Sequence, residues 1–342
     1  MKFDKDAIRH RALELISTDG HRVGARLASE FGLSRQVANG FLQSLIRDGL
    51  IEAEGSTRAR VYGLKMLLEM DHAFPRQGLQ EDVVWREEFA PAVADLPENV
   101  RDIWHFGVTE MINNAIDHSG SPEVRVGLRK NALFTEAWVT DNGEGIFLKI
   151  QRELNLYDPR EAILELAKGK LTTSPKNHSG EGIFFTSRLV DAFEIQSGRL
   201  HFRHDRGTFD FLTERPAEAP GTLVVMRLAN DSPRAMRSVF EEFSDQEEYS
   251  FDKTVVPVRL AQHEGEKLVS RSQAKRVAHR FERFKRVVLD FEGVAEIGQA
   301  FADELFRVFA SGHPNVRLTP INTSPAVANM VRRALSASEK SI

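Results

Sequence analysis

Three short blocks of acidic, amide and glycine residues constrain this chain more than anything else in it. They are Glu110-Met-Ile-Asn-Asn114, Asp141-Asn-Gly-Glu-Gly145 and Ser179-Gly-Glu-Gly182. The first lies in a helical pattern, where Ile103, Phe106, Gly107, Met111, Asn114 and Ala115 recur near one face. Glu110 and Asn114 are four apart, so carboxylate and amide project the same way. A polar pair on an inward face is costly unless it is satisfied or has a chemical task, and this block alone leaves both open. The second block follows two alternating stretches, 124–128 and 134–139, read as strands joined by a turn at Lys130-Asn131. Asp-Asn-Gly is also a favoured tight turn, but here it follows a strand and stands upstream of another Gly-x-Gly. The third block opens a helix, where glycine-rich backbone presents free N–H groups and the positive dipole end to an anion.

In this order the blocks resemble the N, G1 and G2 boxes of the GHKL ATP-binding superfamily (gyrase B, MutL, histidine kinases, anti-sigma-factor kinases), over roughly residues 80–230. The resemblance implies a Bergerat-type α/β sandwich that takes ATP and Mg2+. Asn114 then matches the magnesium-binding amide, and Glu110 the catalytic carboxylate that polarises the attacking water or another nucleophile. Asp141 would accept a hydrogen bond from the adenine amino group. Gly143 and Gly145 would let backbone approach the base, with Ile146 packed on the ring. The run from Lys168 to Lys176 resembles the ATP lid, with Thr172 and Thr173 in the usual place before the last glycines. Lys170 or Lys176 would meet phosphates, or either is a solvated loop lysine. Ser179, Gly180, Glu181 and Gly182 would cradle the triphosphate, followed by Ile183 where the family has leucine. Thr222, in the stretch 221–226, matches a threonine that supports the adenine-contacting aspartate. The sequence has no upstream two-helix segment with a phosphoacceptor histidine, so an autophosphorylating kinase is not expected. His105 and His118 read as structural.

Ahead of this region, Ile8, Leu13, Leu15 and Ile16 form an apolar helix face ended by Gly20. A second short helix spans 23–31, and a third spans about 35–48, capped by Ser34 and facing Val37, Phe41, Leu42, Leu45 and Ile46 inward. Two short β segments follow, around Gly55 and at Val61-Tyr62. Helix, helix, turn, helix, hairpin resembles the winged helix-turn-helix of bacterial transcription regulators. That geometry points Ser34, Arg35, Gln36 and Asn39 at the major groove and brings Arg58 and Arg60 to phosphates or the minor groove. Such modules also serve as protein docking units, with arginines of this kind merely solvated.

The last third alternates strand and helix, which predicts a small α/β unit. Its phrases Arg271-Ser-Gln-Ala-Lys-Arg276 and Gly298-Gln-Ala-Phe-Ala-Asp-Glu-Leu305 resemble the STAS-like domain of unknown function. Anti-anti-sigma STAS domains carry a phosphorylatable serine at the strand-to-helix turn; Gly298-Gln299-Ala300 has no hydroxyl there. Asp290, Glu292, Asp303 and Glu304 read as structural or partner-binding groups rather than metal ligands.

The fold class expected is therefore α+β multidomain: a winged helix-turn-helix over 1–68, linker and helical entry over 69–98, the ATP-binding domain over 99–230, a connector over 231–252 and the STAS-like unit over 253–342. A length of 342 residues suits two or three domains. With no cysteine, neither disulfides nor thiolate metal sites are available, and a reducing cytoplasm is the expected setting. No apolar run approaches a membrane span, and the first residues lack an export segment. Net charge is −4 overall, yet residues 1–65 carry eleven Lys/Arg against eight Asp/Glu. A basic leading module on an acidic remainder suits DNA as a partner. The expected function is a DNA-binding regulator whose shape or homodimerisation responds to Mg-ATP, with a protein partner at the STAS-like unit. The alternatives are a serine/threonine kinase of the anti-sigma-factor kinase type and a non-catalytic ATP-binding scaffold.

Overall fold

The computed structural model describes residues 4–56, 60–171, 180–206, 210–244, 251–262 and 266–339. Of the candidate residues, Arg58, Thr173 and Ser179 lie outside this set, as do Thr172 and Lys176.

Three helices, α1 (Lys5–Thr18), α2 (Val23–Phe31) and α3 (Arg35–Arg47), precede an antiparallel hairpin of β1 (Ile51–Glu54) and β2 (Val61–Leu64). Asp4 caps α1 by accepting from the N–H groups of Asp6 and Ala7 at 3.1 Å. The Ser34 hydroxyl caps α3, accepting from Val37 N–H at 3.2 Å. Ile8, Leu13, Leu15 and Ile16 are buried together with Leu27, Leu42 and Leu45 in a core of their own. Val37, expected inside, is 46% exposed. The inward stripe of α3 runs through Ala38, Leu42 and Leu45 instead, which turns position 37 outward.

The centre of the chain is a five-stranded, wholly antiparallel sheet in the order β3-β4-β5-β7-β6. Its strands are β3 (Leu68–Pro75), β4 (Glu123–Lys130), β5 (Phe134–Asp141), β6 (Ala192–Asp205) and β7 (Phe211–Ala229). Part of the expected linker and helical entry over 69–98 is thus an edge strand. β3 pairs with β4 along its whole length and is clamped by Arg125 Nε on Asp71 at 2.6 Å. Its own sequence, Leu-Glu-Met-Asp-His-Ala-Phe-Pro, is too polar to announce a strand without that partner. The helical part of 69–98 is α4 (Glu81–Val84), a π-wound turn (Trp85–Phe89) and α5 (Ala90–Ala92). Strand β6 is continuous, with its register against β7 broken between Ser197 and Leu200. Helices α6 (Glu98–His118), α7 (Ile146–Glu153) and α9 (Gly182–Leu189) pack on the sheet, and α8 (Pro159–Lys168) packs on α7.

A second sheet, parallel and ordered β10-β9-β8, forms the C-terminal unit. Its elements run from α10 (Met236–Phe243) through β8 (Lys253–Pro257), α11 (Arg271–Ala278), β9 (Arg286–Asp290) and α12 (Gln299–Asp303), then on to α13 (Ala310–Gly312), β10 (Arg317–Ile321) and α14 (Pro325–Glu339). Ser270 and Gln273 form a capping box on α11. One continuous core runs from Val84 to Ala334, so central and C-terminal units share buried apolar surface. The expected connector over 231–252 takes part in it: Phe240 of α10 stacks on Phe185 of α9 at 4.1 Å. No helix among the described residues is long and apolar enough to cross a membrane.

Candidate functional site

Helix α6 buries Val108, Met111, Ile112 and Ala115, and that face leaves the polar Glu110 and Asn114 half-buried at its margin. Strand β5 delivers Asp141 at its last position, where the carboxylate is only 7% exposed. Asp141 Oδ1 accepts from Gly143 N–H at 2.8 Å. Burial pushes this carboxyl group up from its ordinary value, and the Gly143 and Thr222 backbone N–H groups pull it back only in part. The Thr222 hydroxyl accepts from Ile146 N–H at 3.0 Å. It thereby fixes the first turn of α7 while the Thr222 backbone holds the carboxylate.

Asn114, Asp141, Gly145, Ile146, Gly180, Ile183 and Thr222 line one cavity of about 800 Å3, open solvent at its mouth included. Gly143, Glu181, Gly182 and Glu110 sit beside this cavity rather than in its lining. A Cβ on Gly182 would come within 2.0 Å of Glu110 Oε2, so only glycine lets α9 begin against that carboxylate. Glu110 therefore lies at the positive end of α9, where the cap residue Glu181 makes no capping hydrogen bond with its side chain. Lys149 was not foreseen from the sequence: it lines the cavity and donates from Nζ to His118 O at 2.7 Å. Its only sequence cue is a place one turn into the helix after the second glycine block. Lys170 is drawn the other way, donating to Arg283 O at 2.9 Å with its ammonium 5.0 Å from the Phe284 ring.

Gly221 stands directly before the lining residue Thr222. It has φ of 70°, and a Cβ there would meet Asp141 O at 1.9 Å. Gly221→Ala is expected to lower unfolding stability by about 2 kcal/mol, measured by urea denaturation, because both backbone strain and a backbone clash oppose it. An unchanged midpoint would show that the β5–β7 contact is looser than this geometry requires.

At the other end of the molecule, Arg35, Gln36 and Asn39 are exposed on the first turns of α3, and Arg60 is exposed just before β2. Ser34 is exposed too, but its oxygen is engaged in the cap. Asn39 Oδ1 leans on α2, 2.7 Å from where a Gly24 Cβ would stand.

Residues 273–328 match the model of a STAS-like domain of unknown function (DUF4325). The match runs from α11 into α14. No curated protein matches the chain. At the start of α12 in this STAS-like domain, Gly298 is the cap residue, followed by Gln299 and Ala300. Asp303 is taken up by Arg307, with contacts of 2.5 and 2.7 Å. A buried ionic cluster joins α8 to the domain. Lys168 Nζ donates to Glu165 Oε1 at 2.6 Å and to His279 O at 2.9 Å. Arg280 donates to Glu165 Oε2 at 2.9 Å and to Gly169 O at 3.1 Å. Leu166, between Glu165 and Lys168, and Leu171, three residues further on, both line the cavity, so the STAS-like domain braces one wall of the cleft.

Proposed function

We propose that this chain is an ATP-responsive DNA-binding regulator, in which Mg-ATP in a Bergerat-type cleft of the GHKL kind alters how a winged helix-turn-helix meets DNA. One observation carries the reading: Asn114, Asp141 and Gly180, drawn from three separate sequence blocks, line a single cavity. The buried Asp141 carboxylate suits an exocyclic amine, and Ile146 and Ile183 offer apolar contact to a flat base. The start of α9 next to Gly180, with its backbone N–H groups and positive dipole end, suits a phosphate tail. Among the described residues no group of three or more His, Asp or Glu is placed to hold a metal. Magnesium fits here as an ion carried by the phosphates, with the Asn114 amide oxygen as the protein ligand. Bound Mg-ATP supplies a cleavable phosphoanhydride. Glu110, beside Gly182, would orient the attacking water, and slow hydrolysis would reset the regulator.

The helix–helix–helix–hairpin order of residues 5–64 and the exposed Arg35, Gln36 and Asn39 support the DNA-reading half. Binding to a selected duplex should therefore change when ATP and magnesium are added. Identical DNA affinity with and without nucleotide, across a salt series, would reject the coupling. Arg35→Ala should cost about 1–3 kcal/mol at a specific site if it reads a base, measured by fluorescence anisotropy.

A further inference from the structure

A second cavity lies apart from the first, where α9, the end of β6 and α10 face the C-terminal sheet. Its volume is about 1030 Å3, open solvent at its mouth included. Its lining holds four arginines, Arg188, Arg206, Arg234 and Arg259, and four carboxylates, Asp210, Glu242, Asp290 and Glu292. Arg188, Arg206 and Arg234 come from the central unit, and Asp290 and Glu292 from the end of β9.

These groups are incompletely satisfied, in a chain that pairs its charges freely elsewhere. Arg188 stacks 3.9 Å from the Phe184 ring centre and donates to Ser187 Oγ at 2.8 Å. Among the described residues it has no ion pair, and burial pulls it down to about 10 against the opposing attraction of Asp210 and Glu242 in the same lining. Arg206 is exposed and likewise has no ion pair among the described residues. Arg234 is 8% exposed and paired with Asp191, yet its Nε–H is buried with no hydrogen-bond partner. Across the cavity, Asp290 accepts from Glu292 N–H at 2.9 Å and from Asn322 at 3.0 Å, but neither carboxylate has a cationic partner among the described residues. Asp210, also in the lining, is taken up by His204 at 2.5 Å.

A cationic guanidinium held in a protein without a counter-charge is costly, and an arriving anion relieves that cost. Guanidinium groups match phosphate oxygens in a bidentate fork. Carboxylates accept from hydroxyl groups and would repel a second anion. A ligand that meets Arg188, Arg206 and Arg234 with an oxyanion and Asp290 and Glu292 with hydroxyl donors satisfies both sets.

We propose that this second cavity is a binding site for a phosphorylated polyhydroxy compound of sugar-phosphate size, with the phosphate at Arg188, Arg206 and Arg234 and the hydroxyls at Asp290 and Glu292. The site lies between the two units that share the core, so its occupant ties the STAS-like domain to the central sheet. Its residues are separate from the Asp141 cleft, and its test does not depend on ATP binding there.

Calorimetry on the full chain with ribose 5-phosphate, ribose and inorganic phosphate as probes tests this assignment at constant ionic strength. Ribose 5-phosphate should bind saturably, inorganic phosphate at least tenfold more weakly, and ribose not detectably. Arg206→Ala, an exposed change that leaves the core intact, should weaken ribose 5-phosphate at least tenfold. Glu292→Gln should bring ribose 5-phosphate close to the affinity of phosphate, leaving phosphate itself unchanged. No saturable binding, or wild-type affinity in Arg206→Ala, overturns the site. Equal affinity for ribose 5-phosphate and phosphate in the wild type overturns the hydroxyl half of the assignment.

Discussion

Asp141→Ala should lose about 2–3 kcal/mol of ATP affinity, roughly a hundredfold in Kd. A buried acceptor that meets an exocyclic amine cannot be replaced by water when the alanine leaves an apolar hole. The same change should erase discrimination between ATP and GTP, because the carboxylate accepts from an amino group and repels a carbonyl. Asp141→Asn separates binding from folding. Burial raises the folded-state carboxyl above its unfolded value, so the ionised group costs stability at neutral pH, and that cost fades as pH falls through the raised value. The neutral amide removes it. Thermal stability of Asp141→Asn should be at or above wild type while ATP affinity falls. Wild-type ATP binding by Asp141→Ala, in calorimetry with magnesium present, would remove the adenine contact from the proposal.

Glu165→Gln should cost about 3–5 kcal/mol of folding stability, since it leaves Lys168 and Arg280 buried without their counter-charge. Glu165 is 2% exposed and Lys168 fully buried. Burial alone would raise Glu165, but Lys168, His279 and Arg280 together outweigh it and hold the group at about 2. Its folded value is thus depressed below the ordinary 4.5. The stabilisation is therefore complete above that ordinary value and is lost as pH falls from there towards about 2. Urea denaturation across this range should show wild type losing stability that the variant already lacks at neutral pH. Equal stability of the two proteins at pH 7 would mean that water or relaxation satisfies the cluster. Because α8 and the loop after it border the cavity, Glu165→Gln should also weaken any ligand held there.

Much of the central cleft is legible from local sequence. A four-residue spacing puts Glu110 and Asn114 on one helix margin, and an acid followed by glycines at a strand end puts Asp141 into a turn. Each depends on a handful of consecutive residues, so periodicity and glycine placement are enough. Even there the details diverge: Asn114 reaches the cavity lining while Glu110 stops against Gly182. Lys149 carries no motif, and only the packing of α7 brings it to the lining.

What the chain order determined by itself is the set of elements: the capped helices, the alternating strands and the glycine turns, all products of near-neighbour backbone and side-chain preference. Tertiary structure alone decided that 68–75 is a sheet edge, that the 231–252 segment enters a shared core, and that Glu165 meets Arg280 across 115 positions. It also decided that Arg188 and Glu292 border one cavity. Polar strands and buried charges become stable only when a distant partner supplies the hydrogen bond or counter-charge, and no local pattern records which partner that is.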